Sequence, residues 1–474
     1  MLKIKNAKGL LFFLFGFCGV VAFAQVKLNN KVAEFGFENP IENASVYIKS
    51  TAIGTVTNAD GNFSLRVPKE NVSDTLVVSS IGYSTFKIAI PEYNANEVIY
   101  LEQQVASLEE VMLESEPRPQ TGNAIVLKAL KELPKTMPDS SYIQKGFLRH
   151  KERNKKEFKW LIESALTVFD SGYTVSSKDY LKINVDQVRK SYDLRELDSL
   201  FSYYSYLKNN TNVNLKTKNL RRDTIETASL IKSIKWNDTR VNGLQNIFQG
   251  KLNVFRNVND AKALFGEDIL SNHHFELDTI LVDSERKLYK IKISKGRDYV
   301  GLDTKGIYNE GYEAKGWLYI YYDNYAIKKL EYELIPASPA QKTRSKRLLN
   351  STVNHKLVIT YKEFQDKMYP SYIYYETPKL VNVGLKADKK VTDAELAKYN
   401  EERFYYTIQE ILFSEVIVEN EKIKEALNNK WDMDIFSPKP YDKAFWNNYN
   451  VLLESKEDEK LIQDLSKRAS LFKE

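Results

Sequence analysis

The four histidines of this 474-residue chain are His150, His273, His274 and His355, and one pair of neighbours carries chemistry in its spacing. His273-His274-Phe275-Glu276 sets a histidine and a glutamate three residues apart, as two of the metal ligands of zinc peptidases are, and His355 is an available third ligand. That set defines a metal-dependent peptidase as one alternative. Against it, Phe275 to Val282 alternates like an ordinary strand, and no accompanying arginine and glutamate constellation is recognisable. His273, Glu276 and His355 are therefore expected to be surface or packed side chains, with no metal and no cofactor. The chain has no Gly-x-Ser-x-Gly elbow, Gly-rich phosphate loop or His-Glu-x-x-His helix. Glu109-Glu110 and Glu401-Glu402 are adjacent carboxylates whose side chains diverge, so a carbohydrate-active hydrolase would need a pair assembled by folding. No catalytic residue is assigned, and the expectation is a protein that is not an enzyme.

Thiol chemistry is excluded by position. The chain opens with Lys3, Lys5 and Lys8, then the apolar run Leu10 to Val21, then Ala22-Phe23-Ala24-Gln25, the order of a secretory signal cleaved between Ala24 and Gln25. Its uncharged stretch of about 16 residues is short of the ~20 that span a bilayer as a helix. The one cysteine, Cys18, lies inside this run, and the bulky Phe17 before it argues against lipid attachment. Removing the signal leaves 66 basic residues against 63 acidic ones. That near balance speaks against nucleic acid as a partner, and the cluster Lys342 to Arg347 is expected to be a solvated loop.

The elements that must position any site are mostly strands. Hydrophobic residues make up 43% of the chain, with 30 Tyr and 23 Phe, enough for large cores and for much β structure. Ala44, Val46 and Ile48 alternate with polar neighbours, as do Phe63, Leu65 and Val67. Thr75 to Ser79, Tyr83 to Ile90 and Glu97 to Leu101 supply further strands. Asn58-Ala59-Asp60-Gly61 predicts a tight hairpin turn; Asn58, Asp60 and Asn62 place oxygens at alternate positions, but the late glutamate of a calcium loop is missing.

The residues Pro40 to Ile48, Gly54 to Leu65 with Asp60, Gly61 and Phe63, and Val78 to Tyr83 with Gly82 and Tyr83 together resemble the carboxypeptidase regulatory-like (transthyretin-like) domain. The resemblance implies a non-catalytic β-sandwich at the front of an exported bacterial envelope protein. Leu108 to Leu113 resembles the short strand that follows this domain in TonB-linked receptors, but the ~360 remaining residues are too few for their barrel.

After a linker over 114–121, Asn123 to Leu133 predicts an amphipathic helix stopped by Pro134. Tyr142 to His150 and Phe158 to Phe169 predict a hairpin with a solvated tip over Lys151 to Glu157, and Leu194 to Leu207 a second helix. Five strands between Lys287 and Tyr375 predict an antiparallel sheet. Trp317 to Lys329 resembles the hairpin of periplasmic lipoprotein-carrier-like half-barrels, and Tyr441 to Asn450 resembles a segment of uncharacterised exported proteins that carry the same front domain. Thr392 to Glu395 is a capping-box pattern, and Leu461, Ile462, Leu465, Ala469 and Phe472 stripe a final helix.

The expected fold class is mainly β, α+β overall: a seven-stranded N-terminal sandwich, then a larger antiparallel, half-barrel-like sheet with a few helices. The expected domains are a signal over 1–24, the sandwich over 26–113, the linker, a β-rich α+β unit over 122–390 and a helical region over 391–474 packed on it. The expected function is binding or interaction, periplasmic or outer-membrane associated. Its partner is an envelope protein or a small apolar or sugar ligand; an accessory role in TonB-linked uptake is a further alternative.

Overall fold

The computed structural model describes residues 25–104, 118–153, 157–175, 180–192, 199–212, 224–251, 253–256, 265, 269–294, 312–337, 339, 342–343, 355–380 and 404–467. The predicted signal and its Ala24, the strand at Leu108 to Leu113, the capping box at Thr392 and the end of the last helical stripe lie outside them; Gln25 is exposed.

The N-terminal unit is a sandwich of seven strands: β1 Val26–Glu34, β2 Ser45–Ile48, β3 Gly54–Val56, β4 Asn62–Val67, β5 Thr75–Ser79, β6 Phe86–Ala89 and β7 Ile99–Leu101. They form a three-stranded sheet, β4-β1-β7, and a four-stranded one, β3-β2-β5-β6. Their inward faces share one apolar core that includes Val32, Val46, Phe63, Leu65, Leu76 and Val78. The turn at Asn58 to Gly61 corrects the hairpin expectation. β3 and β4 lie in different sheets, and the turn carries the chain from one layer to the other. Asn58 sets this corner by accepting hydrogen bonds from the amides of Asp60 (3.1 Å) and Asn62 (2.8 Å). Gly61 follows at φ +77°, where an added Cβ would stand 2.4 Å from the Val32 carbonyl oxygen.

The second unit is one open, antiparallel ten-stranded sheet. Its strands are β8 Tyr142–Arg153, β9 Phe158–Asp170, β10 Leu181–Tyr192, β11 His274–Asp283, β12 Arg286–Ser294, β13 Tyr312–Tyr321, β14 Ile327–Pro336, β15 His355–Phe364, β16 Lys367–Leu380 and β17 Phe404–Ile417. The order is β10-β9-β8-β17-β16-β15-β14-β13-β12-β11. Two meanders, β8 to β10 and β11 to β17, are thus sewn together where β17 returns beside β8. The expected helical region after residue 390 is corrected here: Tyr406, Ile408 and Leu412 alternate with Gln409, Ile411 and Phe413 in a central strand, and the helices of this region begin only beyond Ile417 among the described residues.

Helix α1 Gly122–Thr136 lays Ile125, Val126, Ala129 and Leu133 on the inner face of the sheet. It passes Pro134, which loses one helical hydrogen bond, because the next turn closes through Met137 N to the Leu133 carbonyl, 2.9 Å. Helices α2 Ser199–Asn210 and α3 Thr227–Asn242 pair with each other, and Ile234 of α3 joins the same inner core. Short helices α4 Asn420–Leu427, α5 Lys443–Asn447 and α6 Glu459–Ser466 come after β17. Leu461 and Leu465 of α6 pack on Leu161, while Trp446 of α5 packs with Phe147 and Leu452.

Each edge of the sheet is met at particular points by other parts of the chain. At β10, Val185 N donates to the Asp432 carbonyl (2.7 Å). At β11, Phe275 N donates to Asn123 Oδ1 (2.9 Å) and the Val282 carbonyl accepts from Gly82 N of the sandwich (2.9 Å).

Candidate functional site

The structure separates the histidine and glutamate that the metal hypothesis would join. His273 is buried among Phe265, Phe275 and Tyr332, with Nε2 2.9 Å from the Tyr332 hydroxyl and Nδ1 3.3 Å from the Ile269 carbonyl. Burial drives its pKa down to about 4. Glu276 points to the other side of β11, half-exposed, 3.5 Å from His274 and 3.9 Å from Lys292. His355 is buried on β15 with Nδ1 2.8 Å from Thr377 Oγ1. Among the described residues, no three His, Cys, Asp or Glu side chains converge as a metal site.

The motif residues of the sandwich serve attachment as well as folding. Asn58 Nδ2 donates to the Glu454 carbonyl (2.8 Å), and Asp60 Oδ2 accepts from Lys456 N (2.8 Å). On β4, Arg66 N donates to Asn450 Oδ1 (2.8 Å) and its guanidinium to the Tyr449 carbonyl (2.9 Å). On the other flank Lys87 pairs with Glu285 (2.6 Å), and Lys362 of β15 stands 4.6 Å over the Tyr47 ring while donating to the Ile53 carbonyl (3.4 Å). The sandwich is therefore tied to the C-terminal segment on one side and to the large sheet on the other.

Register assembles the outer face of that sheet into a surface that no single strand of sequence displays. Ten residues stand in line, one per strand: Glu276, Lys292, Trp317, Glu331, Val358, Tyr374, Glu410, Arg149, Glu163 and Arg189. A second line runs Lys315, Glu333, Lys356, Glu376, Ile408 and Lys151. One end of these lines is sealed under the C-terminal segment. There Glu163, with no exposed surface, accepts from Arg149 (2.7 Å) and Arg189 (2.6 Å), and Arg149 also donates to the Leu452 carbonyl (2.9 Å). Lys151, expected at a solvated tip, is buried there too, paired with Glu410 (2.8 Å) and Asp458 (3.1 Å).

The other end is open. It floors a groove of ≈ 970 Å³ whose far wall carries Glu42 and Asn43 of the sandwich. In the floor Lys329 pairs with Glu331 (2.6 Å); from beside the groove Lys290 Nζ lies 3.9 Å from the Trp317 ring centre, and Glu376 accepts from the Tyr374 hydroxyl (2.8 Å). Burial, then the nearby Glu376, push the Tyr374 hydroxyl far above its usual pKa, so it remains a donor at every ordinary pH. Sequence reasoning did not single out Lys315, Trp317, Glu331, Glu333 or Lys356 as a site. The signal was the alternation of charged with apolar residues in Lys329-Leu330-Glu331-Tyr332-Glu333, which shows that one face is polar but not that neighbouring strands align their charges.

The inner face is packed with apolar side chains and retains a pocket of ≈ 90 Å³ lined by Tyr142, Gln144, Tyr180, Asn253, Tyr361 and Met368, among others. Arg256 closes one side, one guanidinium nitrogen (Nη2) donating to both carboxylate oxygens of Asp170 (2.6 and 2.7 Å), and stands 3.9 Å over the Tyr180 ring. This space suits a few waters better than a lipid chain.

No curated protein matches the chain. A crystal structure of a LolA superfamily protein from Nitrosomonas europaea overlays 64% of this chain and 97% of its own, at 8% identity and a TM-score of 0.20, too low to define a shared fold. The family model of the CarboxypepD_reg-like domain matches residues 31–113, and the N-terminal sandwich is a carboxypeptidase regulatory-like domain.

Proposed function

We propose that the protein is an exported, non-catalytic envelope protein that receives a partner or ligand in the groove between its regulatory-like sandwich and the outer face of its ten-stranded sheet. The observation that carries this reading is that groove: ≈ 970 Å³, walled by both units and floored by charged and aromatic side chains held in register. The sandwich type, which is regulatory and not catalytic, supports an interaction role, and the secretory pattern of the first 25 residues supports export. No described helix is long and apolar enough to cross a membrane.

The test is photo-cross-linking in cells from a reactive residue placed at Lys356, in the groove, and at Lys424 on α4 as a control. A discrete adduct from Lys356 and none from Lys424 is expected. Monomer alone from both positions, with nothing retained on purification, overturns the proposal.

A further inference from the structure

The chemistry of the groove narrows its occupant. Its lysines are Lys292, Lys315, Lys329 and Lys356; its glutamates are Glu42, Glu313, Glu331 and Glu333. The charges balance, and the register interleaves them: Glu333 stands directly opposite Lys315 on one side and Lys356 on the other. A polyanion drawn to either lysine meets that carboxylate, and a polycation drawn to the carboxylate meets both lysines. An apolar ligand would have to strip water from the whole set without returning hydrogen bonds. A peptide seeking main-chain pairing finds none, because the floor is the face of the sheet, where backbone N–H and C=O groups already bond between strands.

A chain of groups that each donate and accept does fit. A hydroxyl accepts from a lysine ammonium and donates to a glutamate carboxylate, so a lattice of alternating Lys and Glu offers every hydroxyl a partner of either kind. Neighbouring strands lie about 4.8 Å apart, which repeats the partners at a pyranose-sized step. Trp317 adds an apolar plane in the same line, with its indole held by the Lys290 ammonium 3.9 Å from the ring centre.

We propose that the groove binds a neutral oligosaccharide; this rests on the groove's being the interaction site. Sugar rings lie along the β12 to β15 floor, with Trp317 against a ring face and Lys315, Glu333 and Lys356 on its hydroxyls.

The full chain is titrated with maltohexaose, laminarihexaose, cellohexaose and mannohexaose, and with oligogalacturonate and oligolysine as charged counterparts, following tryptophan fluorescence and heat. At least one neutral hexaose is expected to bind in preference to both charged chains. Trp317→Ala should weaken it by about tenfold or more. Since Trp317 is partly buried, the near-isosteric pair Glu333→Gln and Lys356→Gln repeats the test without emptying space, and each should weaken the same hexaose, while Lys424→Gln leaves it unchanged. Binding of no neutral hexaose, or tighter binding of a charged chain, overturns the assignment. If the Lys356 cross-link to a protein persists beside a blank oligosaccharide panel, the sugar assignment falls and the interaction role stands; if both are blank, the interaction role falls as well.

Discussion

Glu163 Oε1 accepts a 2.7 Å hydrogen bond from Arg149 Nε in a place where neither side chain reaches solvent. Burial works against the arginine's charge, yet Glu163, Glu410 and Asp458 together hold the guanidinium protonated beyond its ordinary range. The pair also ties the C-terminal segment to the sheet, since Arg149 reaches the Leu452 carbonyl and Glu163 reaches Arg189 of β10.

Removing one member of this network leaves an uncompensated buried charge. Glu163→Gln should cost about 3–5 kcal/mol in urea unfolding, whereas the double change Glu163→Leu with Arg149→Met should cost markedly less, because both charges leave together. A single variant within experimental error of the parent would show that water enters this part of the sheet.

Lys362 makes the attachment of the sandwich pH-dependent. Burial, then the charge of Lys328, lower its pKa to about 7 from 10.5. Unfolded, the group holds its proton up to about 10.5, so stability is lost as pH falls from there towards 7 and stays level below. The Tyr47 ring offsets part of this penalty. Lys362→Met should therefore raise the midpoint of thermal unfolding at pH 7, by about 1–2 kcal/mol in stability, and give little gain at pH 10. An equal gain at both pH values would assign the effect to packing alone.

How much of this was legible beforehand depends on the range of each interaction. Val46, Ile48, Phe63 and Leu65 declare their strands by local alternation, and the family motif at Asp60 to Phe63 and Gly82-Tyr83 declares the sandwich; the structure has both. The same letters could not show that Asp60 holds Lys456, because that bond spans most of the chain. Nor could they place β17 between β8 and β16, since a strand announces its two faces and not its neighbours. The groove is a product of register, and register was the least readable quantity: Trp317 and Glu331 are unremarkable in their own strands and become a surface only when aligned.

His273 sets the acid limit of the inner core. Its imidazole is held neutral by burial, with a pKa of about 4 against 6.5 unperturbed. The unfolded chain takes up a proton first, so stability is complete above about pH 6.5 and falls as pH drops to about 4. His273→Phe should flatten this slope by about 2–3 kcal/mol between pH 7 and pH 4, while costing about 1–2 kcal/mol at pH 7 by leaving the Tyr332 hydroxyl without its ring nitrogen. Urea unfolding at the two pH values measures both terms. Added zinc should shift neither parent nor variant, since Glu276 faces away from His273; a zinc-dependent rise in the parent alone would restore the metal hypothesis.

The corner at Asn58 to Gly61 couples the folding of the sandwich to its attachment, and two substitutions separate these roles. Gly61→Ala places a Cβ 2.4 Å from the Val32 carbonyl oxygen at φ +77°, so the corner itself must open, at about 2–3 kcal/mol. Asp60→Ala leaves that backbone untouched and removes only the acceptor for Lys456 N, at about 1 kcal/mol. Limited proteolysis distinguishes them: Asp60→Ala should expose the chain around residues 454–456 to cleavage while the sandwich stays intact, and Gly61→Ala should admit cleavage within the sandwich as well. Protection of residues 454–456 in Asp60→Ala would mean that the remaining contacts of the segment, from Asn58, Arg66, Arg149 and Lys151, suffice to hold it in place.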